Sequence, residues 1–417
     1  MSMMHVVFAI PFAMENTLRF ARAVAGLSGV QMSVVSQDSV ERLPLDLRTK
    51  LVGFEQVADA MSAADLAAGV ARLQQQCGRV DRLLGILEPL QEPLAQVRER
   101  LQIRGMDSRT STNFRDKSRM KKVFAAADIP CARHRLCSSV DEAVGFAGDT
   151  GYPVVAKPPA GAGAKATSRC DGEADLREFL DQVHPAAGRE VLVEEFVVGR
   201  EFSFDSMTVH GRHVFHNICC YYPTPLEVMD NPWIQWCVVL PRDLADEDFH
   251  EIYQTGPRAL DALGMWTGMS HMEWFRRGDG TIAISEVAAR PPGAQFVSLM
   301  GHVLDVDMHR LFAELMVFEQ VEVPPRRFAA AAAYLRGQAS PEQRGAGVPL
   351  RVRAVHGLDR IRRELGEMVV EAKVPSIGAP QAESYEGDGH IIVRHPDTTA
   401  ARDAVREIVS TVRVELE

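Results

Sequence analysis

The chain has 417 residues, 46% of them hydrophobic and 24% charged, enough to build two or three folded domains of ordinary globular composition. Its 46 basic and 56 acidic residues leave a formal net charge of -10. That balance argues against nucleic acid or an anionic membrane surface as the main partner, but leaves room for a phosphate ligand held by a local lysine cluster.

The N-terminal run "MMHVVFAIPFAM" lacks a basic leader and a cleavage site, so His5–Ile10 is expected to be a buried first strand. Strand-like and helix-like stretches then alternate: helix over 15–26, strand over 31–38, helix over 63–78, strand over 80–87 and helix over 92–103. Alternation of this kind predicts a parallel sheet covered by helices, with ligands beyond the carboxyl ends of its strands. Glu88 follows the third of these strands and is a candidate for the edge of a site, or a plain solvated loop carboxylate.

From residue 115 the pattern changes. A helix carrying Lys117, Met120 and Phe124 ends at Pro130. Strands over 152–158 and 190–197 flank a helix over 172–183. A hairpin over 201–222 turns at His210-Gly211-Arg212, and a helix runs over about 246–263. A second hairpin over 270–293 turns at Gly278-Asp279-Gly280. An amphipathic helix over 306–318 leads to "VPPRR" (323–327), a natural boundary. These breaks predict three units: an α/β domain at 1–110, a core at 111–322 and a small α+β domain at 323–417. No apolar run reaches the ~18 residues of a membrane span. Seven cysteines without a C-x-x-C pair read as reduced thiols, so a cytoplasmic location is expected.

The chemistry lies in the middle. "YPVVAKPPAGAGAKATSR" (152–169) suggests phosphate handling, yet it is neither a Walker loop nor a dinucleotide fingerprint. Ala164 parts Gly163 from Lys165, and Ala166 stands where a third glycine belongs. The loop is nevertheless built of small residues whose N–H groups can face phosphates. Lys157 closes an apolar strand and needs an anionic partner if it is buried. In "VLVEEFVVGREF" (191–202) a strand end can pair with the edge of an adenine, and a later carboxylate can take ribose hydroxyls. On the second hairpin, Glu273 and Glu286 can bring two carboxylates to one face, a donor set suited to Mg²⁺ completed by phosphate and water. Arg290, four residues on, can stabilise a developing oxyanion. His216, His271, Tyr221, Tyr222, Trp233 and Trp236 are candidates to shape an acceptor site, or simply packing residues.

The order of "RDKSRMKKVFAAADIP", "YPVVAKPPAGAGAKAT", "VLVEEFVVGREFSFD" and "SHMEW…ISEVAARPPG" resembles the ATP-grasp superfamily over roughly residues 110–320. The Rossmann-like front and small tail resemble its carboxylate–amine ligases, especially the L-amino-acid ligase-like branch. The resemblance implies ATP and Mg²⁺ as cofactors. Lys117 and Lys157 would hold the phosphates, with the loop Gly161, Ala162, Gly163, Ala164 and Lys165 folded over them. Glu194 would reach the adenine amino group, the backbones of Glu195 and Val197 would contact adenine, and Glu201 would bind the ribose. Glu273 and Glu286 would hold the metal, and Arg290 would stabilise the acyl-phosphate and tetrahedral intermediate. The family's usual Asn two residues after the second metal Glu is here Ala288. The implied reaction joins a small carboxylate to an amine, with homodimers common in such proteins. A thiol or peptide acceptor, or a non-catalytic ATP-binding regulator, are the alternatives.

Overall fold

The structure is a computed structural model, which describes residues 3–160, 167–231, 233–245, 247–339, 343 and 349–417. Four parallel strands open it: β1 (Met4–Ile10), β2 (Val30–Ser36), β3 (Leu51–Gln56) and β4 (Arg82–Leu84), in the order β3-β2-β1-β4. The alternation predicted this parallel layer but not β3. That edge strand is only partly buried along its length, so its sequence lacks a strong apolar signal. The strand expected over 80–87 shortens to three residues, and Glu88 starts the next helical turn.

A small antiparallel sheet follows, built from β5 (His134–Cys137), β6 (Val154–Lys157), β7 (Ser168–Cys170) and β8 (Val191–Glu195) in the order β5-β8-β6-β7. The helices Val140–Thr150 and Glu173–Val183 bury Phe146, Leu176 and Leu180 against it.

The central sheet begins with the two expected hairpins. These are β9 (Gly199–Val209) with β10 (Arg212–Tyr222), and, after β11 (Trp236–Leu240), β12 (Gly268–Arg277) with β13 (Ile282–Ala288). It continues through β14 (Ala329–Leu335). The short strands β15 (Gly337–Gln338) and β16 (Val352–His356) leave the sheet, and β17 (Val369–Lys373) and β18 (Gly389–His395) rejoin it. The order is β13-β12-β9-β10-β11-β14-β18-β17. The segment after residue 323 is therefore not a separate layer. β14 pairs with β11, Tyr334 opposite Trp236, and only β15, β16 and β19 (Arg413–Leu416) form a sheet of their own. The cause is "AAAAAYL" in β14, which is buried throughout and fits an interior strand covered on both faces.

One apolar core joins the first unit to the central sheet. It runs from Phe8 and Phe20 through Phe312 and Met300 to Trp236 and Tyr334. Phe20 meets Phe312 edge to face at 4.8 Å. No helix among the described residues is long and apolar enough to cross a membrane.

Gly199 shows why β9 begins where it does. It pairs with Arg277 at the end of the β9–β12 ladder, and a Cβ there would be driven into the Arg276 carbonyl, 2.9 Å from its carbon. Gly199→Ala is expected to destabilise the protein by ~1–3 kcal/mol in urea unfolding and to displace Glu201, two residues on. Wild-type stability in that variant would show that the close approach carries no constraint.

Candidate active site

Strand alternation sets the inner face of the central sheet. On β9, Phe202 and Phe204 enter an apolar core with Trp274 of β12, so Glu201, Ser203 and Asp205 face the other way. On β12 the same parity turns His271, Glu273 and Phe275 inward. Glu273 lies opposite Glu286 of β13, and a bulge beside the pair re-aims the strand there. The two carboxylates line a solvent-open cleft of about 190 Å³ between the small sheet and the central sheet.

The acidic end is tightly balanced. Asp205, fully buried, accepts a hydrogen bond from His271 Nδ1 at 2.6 Å, and the imidazole Nε2 lies 3.7 Å from Glu273. Burial opposes the imidazolium, but Asp205, helped by Glu273, outweighs it and raises the His271 pKa to about 9. Lys117 Nζ stands 3.0 Å from Glu286. Burial and the charges of Glu273 and Glu286 push the Glu201 carboxyl well above the usual range. Three carboxylates crowd one another there, and a divalent cation fits the chemistry of that donor set. Among the described residues no group of three or more His, Cys, Asp or Glu forms a preassembled metal cage. Mg²⁺ suits such a place, since it takes one or two carboxylates and completes its shell with water and phosphate.

Arg290 leaves β13 into the same cleft. Its Nε donates to Glu88 at 2.6 Å, and Arg115 stands 3.6 Å from the other oxygen of Glu88. Glu88 is therefore a partner behind the guanidinium rather than a solvated loop residue or part of the cleft wall.

The opposite end carries buried cations. The helix Lys117–Ala126 is capped by Asp116, and the Lys117 N–H bonds to the Pro159 carbonyl beyond β6. This link holds Lys117 near Lys157. Lys157 lies 3.0 Å from Glu194, and fully buried Lys121 lies 3.3 Å from the other oxygen of the same carboxylate. Burial would raise the Glu194 pKa, but Lys121 and Lys157 together bring it to about 2. Lys121 Nζ and the Glu194 oxygen facing it are both sealed from solvent, so the two charges answer each other. The Glu195 side chain turns away to Arg133 at 2.6 Å and Arg277 at 2.5 Å, leaving its main chain at the cleft beside Val197.

The cleft thus gathers Lys117, Lys157, Glu194, Glu195, Val197, Glu201, His271, Glu273, Glu286 and Arg290. The loop residues Gly161, Ala162, Gly163, Ala164 and Lys165 lie outside the described residues. His216 does not join the cleft. It lies five positions before Tyr221 on β10, so the two side chains point to opposite faces, and His216 stacks on Phe204 at 5.5 Å. The same parity separates Tyr222 and Tyr221: Tyr222 faces Arg406, and Trp233 also lies outside the cleft lining. Lys121 escaped the sequence reading, although its spacing of four from Lys117 places both on one helix face.

The family model for the ATP-grasp domain matches residues 122–304. The chain carries an ATP-grasp domain. Protein y4rH of Sinorhizobium fredii (strain NBRC 101917 / NGR234) is 28% identical over 237 residues, which are 55% of this chain and 47% of that protein. Alanine–anticapsin ligase of Bacillus subtilis is 21% identical over 250 residues, 56% of this chain and 53% of the ligase. The chain thus spans about half the length of these curated relatives. The crystal structure of an L-amino acid ligase from Bacillus licheniformis is similar over 99% of both chains, with a TM-score of 0.77 and 15% identity. That likeness reaches beyond the ATP-grasp domain and includes the parallel front sheet and the C-terminal strands that extend the central sheet.

The Glu194 carboxyl has a definite acid signature. Its folded pKa of about 2 lies below the ordinary 4.5, so its stabilising contribution is present above about pH 4.5 and lost as pH falls through 2. Glu194→Gln is expected to flatten the acid limb of the stability curve by roughly 3 kcal/mol in denaturant titrations between pH 5 and pH 2. An unchanged acid limb would show that the lysines do not hold this carboxylate ionised.

Proposed function

We propose that this protein is an ATP- and Mg²⁺-dependent, ADP-forming ligase that joins a carboxylate to an amine, with amino acids as substrates. The observation that supports this best is the convergence of Glu273, Glu286, Arg290, Lys117 and Lys157 on one cleft. These are two adjoining carboxylates with a guanidinium beyond them and two ammonium groups before them. A carboxylate is a poor acylating agent, so it needs activation. Its oxygen attacks the γ-phosphorus of ATP and ADP leaves. The amine nitrogen then attacks the acyl carbon of the acyl-phosphate and phosphate leaves, giving an amide. Mg²⁺ would be held by Glu273 and Glu286 and would neutralise charge on the phosphates.

The protein's own residues position and neutralise. Lys117 and Lys157, nine-tenths buried, exchange part of their pairing with Glu286 and Glu194 for phosphate oxygens. Glu194 and the main chain of Glu195 and Val197 meet the adenine, and Glu201 meets the ribose. Arg290, fixed from behind by Glu88, faces the oxyanion that develops at the acyl carbon. His271, hydrogen-bonded to Asp205, supplies a ring nitrogen 3.7 Å from Glu273. No nucleophilic triad is needed, because positioning and charge neutralisation carry phosphoryl transfer. The other reading, a nucleotide-binding regulator, is favoured only by Ala288. It leaves the oxyanion-facing Arg290 without a role. A thiol or peptide acceptor would use the same activation step. A cytoplasmic setting and small-molecule partners go with this reading, and a homodimer is compatible with it.

Glu286→Ala is expected to lower Mg²⁺-dependent ADP release at least 10²-fold with the fold retained, and Arg290→Met to lower kcat by roughly 10²–10³. Lys157→Ala should raise the ATP concentration needed for turnover. The assay is ADP and phosphate release over paired amino acids, with mass spectrometry of the product. Full activity and normal metal dependence in Glu286→Ala would refute the role of that carboxylate.

A further inference from the structure

The cleft changes character beyond His271 and Arg290. Beside the charged residues, the cleft has a wall of aromatic and apolar side chains. That wall is made by Tyr221, Trp236, Phe296 and Tyr385, with the half-buried Leu226 and Met229 of the short helix Pro225–Asp230 beside them. The rings adjoin one another. Phe296 lies 5.9 Å from His271 and 6.0 Å from Tyr221, Tyr221 lies 6.3 Å from Trp236, and Trp236 meets Tyr385 edge to face at 6.1 Å. The wall returns to the reactive end at Gly293, where a Cβ would sit 3.2 Å from the Tyr385 hydroxyl.

The chamber is held rigidly from outside. Trp236 Nε1 donates to the Tyr385 carbonyl at 2.6 Å, and the Trp236 ring stacks on Tyr334 at 4.7 Å. The Tyr334 hydroxyl donates to the carbonyl of Ala294, which contributes only a methyl group to the wall. Aromatic side chains have few torsions, and these are locked by packing, so few wall torsions remain to be ordered when a ligand enters.

We propose that this chamber receives the side chain of the carboxylate substrate, and that this side chain is large and apolar, either aromatic or branched aliphatic. The inference rests on the ligase reading above. A carboxylate set against Arg290 has its substituent directed toward Phe296, Tyr221 and Trp236. A charged substituent there would be desolvated without a partner. Glycine or alanine would leave the space unfilled and forgo the apolar burial that favours the larger side chains by roughly 10²-fold.

The test uses the full chain with ATP, Mg²⁺ and hydroxylamine as a small amine, which makes the readout depend on the carboxylate alone. Glycine, alanine, leucine, phenylalanine, tryptophan, glutamate and lysine are compared by ADP release and hydroxamate formation. Leucine, phenylalanine or tryptophan is expected to exceed alanine by roughly 10²-fold in kcat/KM, with glutamate and lysine at or below alanine. Met229→Trp, which adds bulk beside the aromatic wall, is expected to lower kcat/KM for the large substrates at least 10-fold more than for alanine. Turnover that is best with glycine, alanine or a charged amino acid would overturn the chamber assignment and leave the ligase reading standing. So would an equal effect of Met229→Trp on all substrates. Binding of a fluorescent ATP analogue without ADP or hydroxamate from any amino acid would overturn the ligase reading itself, and this inference with it.

Discussion

The burial of charge is the constraint on which this structure turns. Lys121 is fully enclosed and Lys117 and Lys157 nearly so, surroundings in which an unpaired ammonium is untenable. Glu194 and Glu286 provide the counter-charges, and each pair links different elements. One joins the helix Lys117–Ala126 to β8, one joins β6 to β8, and one joins the helix to β13. The ion pairs therefore tie the small sheet to the central sheet across the cleft. Well-packed apolar residues would often stabilise such positions more. Under the proposed ligase reading, a bound polyanion takes over part of this pairing.

The units on either side of the core both reach this cleft. The N-terminal unit sends Glu88, which with Arg115 forms a charged backing for Arg290. The C-terminal segment sends Tyr385, locked by Trp236 from the central sheet. Under the proposed ligase reading, the guanidinium must be held still before the oxyanion charge appears, and its holder comes from about 200 residues earlier in the chain. The continuity of β11, β14 and β18 serves the same purpose, because it sets the Tyr385 loop rigidly against the Gly293 turn.

Much of the site was legible because its parts are local. Glu273 and Glu286 lie on one hairpin, so a short turn and a period of two already place them side by side. Lys157 ends an apolar strand, a position that demands a partner if it is buried. The residues misjudged from sequence depend on parity or distance. His216 shares a strand with Tyr221, but its odd spacing sends it to the opposite face. Glu88 read as a site-edge or a solvated loop carboxylate because its partner Arg290 is remote. Lys121 was overlooked because nothing local shows that the helix face bearing it is sealed by β8.

By itself the sequence determined the alternation of elements, both hairpins, the parallel front layer and the residue types able to handle phosphate and metal. These follow from periodicity, turn chemistry and short-range spacing, which the chain carries locally. Only the tertiary structure decided that Lys121 completes the Glu194 pairing, that Glu88 stands behind Arg290, that the last segment extends the central sheet, and that four aromatic rings close a chamber beyond the reactive end. Each of these is a contact between residues distant in the chain. Such contacts are set by which apolar faces pack together and which buried charges must find one another, and no local pattern encodes that choice.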